Sequence, residues 1–217
     1  PSQDMVLGLY YMTKPRKGAR GEGLTFYSPE EAIIAHNEGK AEIHAIVNCK
    51  VFDFDENGEL TEQMIETTVG RIIFNELVPK EAGYINKLLT KKALREIISA
   101  ILKRTSNAVT AQFLDDIKNT GYKMAYRGGL SFNLDDVIIP DEKSEMVAEG
   151  YSEVEEVMAN YNMGFITNNE RYNQVIDIWT HVNAKLTQNV MQTLSTDKQG
   201  FNSIYMMLDS GARGSKE

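Results

Sequence analysis

The chain has 217 residues, 42% of them hydrophobic and 25% charged, which supports folded cores and excludes an intrinsically disordered segment. A net charge of -8 excludes a free-standing protein that grips duplex DNA by its phosphates, because that task needs a basic surface. No run approaches the roughly 18 consecutive apolar residues that span a bilayer and no basic-then-apolar leader opens the chain, so cytoplasm is the expected location and no membrane partner is expected.

In chain order, residues 5–26 place short apolar runs (Val6-Leu7-Gly8-Leu9-Tyr10-Tyr11, then Leu24-Thr25-Phe26-Tyr27) around the basic stretch Lys14 to Gly21, predicting strand, loop, strand. Ser28-Pro29-Glu30-Glu31 announces a helix: Ser28 caps, Pro29 suits the first position, Glu31 returns a bond to the Ser28 amide, and Gly39 stops it. Residues 43–52 put Ile43, Ala45, Val47, Cys49 and Val51 on one face at a period of two, the pattern of a half-buried strand, with a solvent turn at 55–58. Helices are predicted over 68–77, 91–104 and 107–120, with Gly121 ending the third and Gly128-Gly129 marking a loop before residues 132–139.

Pro140 and the cluster Asp141-Glu142-Lys143 mark a change of composition, dividing the chain into 1–140 and 141–217. Beyond it Met146, Gly150, Val154, Val157 and Tyr161 step by three and four. After a break at Asn162-Met163-Gly164, Tyr172, Val175, Trp179, Val182 and Leu186 do the same. Each stripe is too narrow to be buried alone, so residues 141–194 are expected to form an antiparallel hairpin with a coiled-coil seam and a tip near 163–169. The fold class is α+β, a mixed strand and helix region followed by this hairpin.

Catalytic chemistry finds little foothold. His36, His44 and His181 lack a second ligand at metal spacing, and each is expected to be structural. Cys49, the single cysteine, excludes a disulfide framework and is expected to fill a buried strand position. Asp53, Asp55 and Asn57 have the opening spacing of a calcium loop, but Met64 stands at the twelfth position, where a bidentate acid is needed, so no calcium site is expected. Gly18-Ala19-Arg20-Gly21-Glu22-Gly23 is glycine-rich without opening a helix as phosphate loops do. No catalytic residue and no cofactor is assigned to the chain. Ser210-Gly211-Ala212-Arg213-Gly214-Ser215 differs: it sets one planar, permanently charged fork among residues that allow close approach, which suits a triphosphate, or else is a flexible end.

Several segments resemble a known family. Pro1-Ser2-Gln3-Asp4-Met5-Val6-Leu7-Gly8-Leu9-Tyr10-Tyr11-Met12-Thr13, Thr67-Thr68-Val69-Gly70-Arg71, Glu170-Arg171-Tyr172-Asn173-Gln174-Val175-Ile176-Asp177-Ile178-Trp179, and Phe201-Asn202-Ser203-Ile204-Tyr205-Met206-Met207 with 210–215 look like the bacterial beta-prime subunit of RNA polymerase, in that subunit's order. The resemblance implies an excised piece of a longer chain: a pore domain over 1–140 and a funnel module with the paired rim helices of the secondary channel over 141–217. It implies a share in DNA-directed RNA synthesis, a nucleotidyl transfer that uses magnesium in the full enzyme. The family's aspartate-rich metal motif would lie upstream of Pro1, so the piece alone would be inactive.

By the same resemblance Arg213 matches an arginine facing the incoming NTP triphosphate, and Gln3 a glutamine beside the active centre; NTP and the RNA 3′ end are implied partners in the full enzyme. Glu170, Tyr172, Asn173 and Asp177 match rim-helix positions where transcript-cleavage and other secondary-channel factors dock. The other polymerase subunits are implied partners. Some members bind guanosine tetraphosphate near the third helix through a lysine and a tyrosine; Ala108 and Asn119 stand there, so no alarmone site is predicted. Without the resemblance, the alternative is an autonomous scaffold module whose hairpin binds partner proteins.

Overall fold

The computed structural model describes residues 1–54 and 58–215, which form two compact units. The first comprises Pro1–Ser131 and Met206–Ser215, the second Phe132–Tyr205. Residues 55–57 of the turn expected at 55–58, and with them two of the three candidate calcium positions, Asp55 and Asn57, lie outside the described residues.

The first unit opens with a helix, α1 (Gln3–Thr13), where the sequence pattern predicts a strand. Val6, Leu7, Leu9, Tyr10 and Met12 are all buried, so α1 is enclosed on every side and shows no amphipathic stripe. A short apolar run of that kind does not distinguish a buried helix from a buried strand. The two-residue strand β1 (Thr25–Phe26) follows, then α2 (Pro29–Asn37), whose Ser28 cap accepts from the Glu31 amide. The Glu31 carboxylate accepts from the Tyr27 amide at 2.7 Å, one residue before the expected partner Ser28.

Strand β2 (Ile46–Phe54) keeps the predicted alternation, burying Val47, Cys49 and Val51. Residues 43–45 precede it, and the Ile43 and Ala45 carbonyls accept instead from the Gly70 and Val69 amides. Strand β3 (Leu60–Thr68) pairs antiparallel with β2 from Ile46 opposite Thr68 to Phe54 opposite Leu60, and β1 pairs parallel on β2's other side. Pattern reading missed β3, since Thr61, Glu62, Gln63 and Glu66 leave no apolar alternation.

Helix α3 (Val69–Asn75) and α4 (Lys91–Arg104) agree with the sequence expectation, each capped by a threonine. Helix α5 (Asn107–Gly128) runs seven residues past Gly121, the expected stop. Gly121 instead lets α1 pass: a Cβ there would sit 2.6 Å from the Met5 carbonyl oxygen, and one on Gly8 would sit 1.9 Å from the Gly121 carbonyl oxygen. Residues 206–215 return to this unit through the end of α8 (Ser203–Asp209).

In the second unit a 3-10 turn over Leu134–Asp136 precedes α6 (Lys143–Asn162) and α7 (Asn168–Thr196), which pack antiparallel. Trp179 stacks edge-on against Tyr151 at 5.0 Å and lies with Val182 over Gly150, whose missing side chain makes room. The seam predicted from spacing is present at Met146, Gly150, Val154, Val157, Val175, Trp179, Val182 and Leu186, while Tyr161 and Tyr172 depart from it and stand 37% and 60% exposed. Among the described residues no helix is long and apolar enough to cross a membrane.

Candidate functional sites: the hairpin tip and the Arg213 turn

The tip is built by Thr167, whose side chain accepts from the Glu170 amide while the Glu170 carboxylate accepts from the Thr167 amide (2.7 Å) and hydroxyl (2.9 Å). These bonds hold the Glu170 carboxyl below its usual range, the Thr167 amide contributing most. Glu170, expected to meet a partner, thus also starts α7, and its side chain remains exposed. The Thr167-Asn168-Asn169-Glu170 spacing carried that signal in the sequence. Arg171, which sequence reading did not single out, lies over the Tyr161 ring at 5.2 Å and donates to Asn168 Oδ1 and Met158 Sδ, fastening α7 to α6.

Asn173 and Asp177, one helical turn apart, and Tyr172 beside them are exposed on α7. Phe165 and Met163 at the turn and Ile176 on α7 are exposed too. The tip thus presents aromatic and aliphatic surface next to acidic and amide side chains, a mixed surface suited to a protein partner.

At the other end of this unit Asn202 is fully buried with its side-chain amide fully used. Its nitrogen donates to the Asp136 carbonyl and Asp197 Oδ2, and its oxygen accepts from the Ile204 and Tyr205 amides. Lys198 donates to Asp136 Oδ1 at 2.7 Å, which lowers the pKa of the acid and raises that of the lysine.

In the first unit Arg213 follows a folded turn. Ser210 is fully buried, its carbonyl accepts from the Lys91 amide at the start of α4 (2.8 Å), and its hydroxyl accepts from the Ala212 amide (3.2 Å) and donates to the Met207 carbonyl (3.2 Å). The Arg213 amide donates to the Met207 carbonyl at 3.3 Å, and its side chain is exposed. Gly211, at φ +71°, takes a left-handed conformation against the Lys91 side chain. The backbone from Ser210 to Arg213 is thus hydrogen-bonded to α8 and to the start of α4. Gln3 is exposed at the start of α1, and among the described residues no hydrogen bond or ion pair joins it to Arg213.

The remaining candidates are structural. Cys49 is fully buried, and burial pushes its thiol up to about 11. His36 Nδ1 bonds the Ala41 carbonyl, His181 is exposed, and His44 is buried with Nδ1 donating to the Lys14 carbonyl. Asp53 Oδ1 accepts from the Phe54 and Tyr84 amides. Among the described residues no three His, Cys, Asp or Glu side chains converge to hold a metal.

Comparison with known proteins places this architecture among the large subunits of multisubunit RNA polymerases. The family descriptions "RNA polymerase Rpb1, domain 3" and "RNA polymerase Rpb1, domain 4" match residues 1–137 and 166–217. The chain belongs to this family, as its bacterial beta-prime branch. It is 69% identical over its whole length to the DNA-directed RNA polymerase subunit beta' of Bacteroides fragilis, 67% to that of Bacteroides thetaiotaomicron, and 59% over 222 aligned positions to that of Flavobacterium psychrophilum. It spans about 15% of the length of each of these relatives.

Proposed function

We propose that this chain forms part of the wall and rim of the secondary channel of a DNA-directed RNA polymerase, the route by which NTPs reach the active centre and transcript-cleavage factors dock. Residues 1–140 act as the pore domain and 141–217 as the funnel module, held among the other polymerase subunits. The observation that carries this reading is the hairpin: helices of 20 and 29 residues, roughly 30 and 43 Å long at 1.5 Å per residue, meet at a tip bearing exposed Glu170, Tyr172, Asn173 and Asp177. Arg213, on its anchored turn, supplies a fork for the NTP triphosphate, and Gln3 faces the active centre.

Among the described residues no three His, Cys, Asp or Glu side chains converge to hold magnesium, so no step through the metal is assigned to them. On this reading the chain by itself is inactive in RNA synthesis.

The test uses polymerase assembled with the full-length subunit. Asp177→Ala should leave assembly and elongation intact while weakening binding of a transcript-cleavage factor. Arg213→Ala should reduce NTP use by roughly ten- to a hundredfold, the loss of one charge-assisted contact. Unchanged factor affinity would refute the rim role, and parental NTP kinetics the triphosphate role. Template-dependent incorporation by the 217-residue chain alone would refute its inactivity.

A further inference from the structure

Asp209 closes α8 only four positions before Arg213. An acid at a helix C-terminus faces the negative end of the helix dipole, so the helix gives no reason for it. The reason lies on α1. Tyr10, fully buried, donates its hydroxyl to Asp209 Oδ2 at 2.7 Å, and Lys14 Nζ donates to the same Tyr10 oxygen at 3.1 Å. The Lys14 ammonium also lies 5.1 Å from the Tyr10 ring centre; burial lowers its pKa, and the Asp209 charge offsets part of that. A phenol held between a carboxylate and an ammonium makes a short, charge-assisted link.

The turn after Asp209 is then held on its other side by α4, through the bond from the Lys91 amide to the Ser210 carbonyl. Two helices that pack inside the first unit thus fix the backbone from Asp209 to Ser210. Beyond these anchors lies the exposed Arg213 side chain. A fork that must meet phosphate oxygens loses much of its effect when its base moves by an ångström, so rigidity at this point bears directly on substrate use.

We infer that Tyr10 is a positioning residue for Arg213, acting through Asp209 at the end of α8 to hold the triphosphate contact in place. This rests on the reading of Arg213 as a triphosphate contact.

The experiment measures steady-state kinetics for NTPs in polymerase assembled with the full-length subunit carrying Tyr10→Phe, Asp209→Asn, Arg213→Ala, or Tyr10→Phe with Arg213→Ala. Tyr10→Phe keeps the ring and removes only the hydroxyl. It should raise KM for NTPs roughly three- to tenfold with kcat within about twofold. Asp209→Asn retains an accepting oxygen and should have a smaller effect in the same direction. The double variant should be no worse than Arg213→Ala alone, since Tyr10 would then have nothing to position. An unchanged KM in Tyr10→Phe beside a raised KM in Arg213→Ala would overturn the positioning role and leave the triphosphate reading standing. Effects that multiply in the double variant would also overturn it, because Tyr10 would then act independently. Parental kinetics in Arg213→Ala would remove both the reading and this inference.

Discussion

His44 is 3% exposed, stacks edge-on against Tyr11 at 4.5 Å and gives its Nδ1 proton to the Lys14 carbonyl. Burial, the largest influence on it, moves its pKa from 6.5 down to about 4. The folded state thus holds the ring neutral where the unfolded ring takes up a proton. The sign follows: stability is whole above pH 6.5 and falls with pH until about 4, by about 3 kcal/mol in all at 1.36 kcal/mol per pKa unit. Urea unfolding of the chain at pH 7 and pH 5 should show a loss about 2 kcal/mol larger than in His44→Gln, which keeps a donor for Lys14 and does not titrate. Equal losses in the two would refute this account. Sequence reading places His44 correctly as structural, because no second ligand stands at metal spacing. It also places Asn173 and Asp177 on one helix, but counts Tyr172 into the seam, where the structure leaves it exposed. The link from Tyr10 to Asp209 was beyond it, since those residues are 199 positions apart and only the folded chain joins them.

Helix α4 was legible to the residue because its burial is one-sided: Ala93, Leu94, Ile97 and Ile101 face the core and the charged residues face out. Helix α1 was illegible for the opposite reason, its enclosure on all sides. Gly121 has a similar ambiguity, because a glycine ends some helices and in others admits a neighbouring backbone. Here it admits α1, and a glycine faces it from each direction. Gly8→Ala would drive a methyl to 1.9 Å from the Gly121 carbonyl oxygen and 2.8 Å from the Ala125 nitrogen, backbone atoms that cannot rotate aside. The helices would have to separate, at a cost of about 1–3 kcal/mol or more in chemical denaturation. Stability equal to the parent's would show that the crossing is looser than this geometry. Trp179 on α7 calls for a smaller figure than a fully enclosed side chain, because it is only half-buried. Trp179→Ala should cost about 1–3 kcal/mol, below the 3–5 typical of a sealed aromatic, as read from loss of helicity on heating.

Across the whole chain the apolar burial is unevenly shared. Tyr10, Phe74, Phe113, Leu94, Ile101 and Ile117, all large and fully enclosed, belong to the first unit, whereas Leu194 is the second unit's member of that group. The hairpin instead relies on a seam of half-buried side chains, on the Tyr151 to Trp179 contact, and on the Thr167 and Arg171 bonds at its tip. Most of its remaining surface is polar, and a helix pair of this kind gains little from each residue it buries. Local stability follows buried apolar area and contact density, so the two units should open separately and at different free energies. Native-state hydrogen exchange on the 217-residue chain is expected to protect the amides of α1 and α5 most strongly. Those of α6 and α7 should exchange through a partial opening that leaves the first unit folded. Adding a small amount of denaturant should bring α6 and α7 to full exchange while α1 and α5 remain protected. If all four helices lost protection together along one denaturant curve, the chain would be a single cooperative unit and the hairpin's stability would come from more than its own seam.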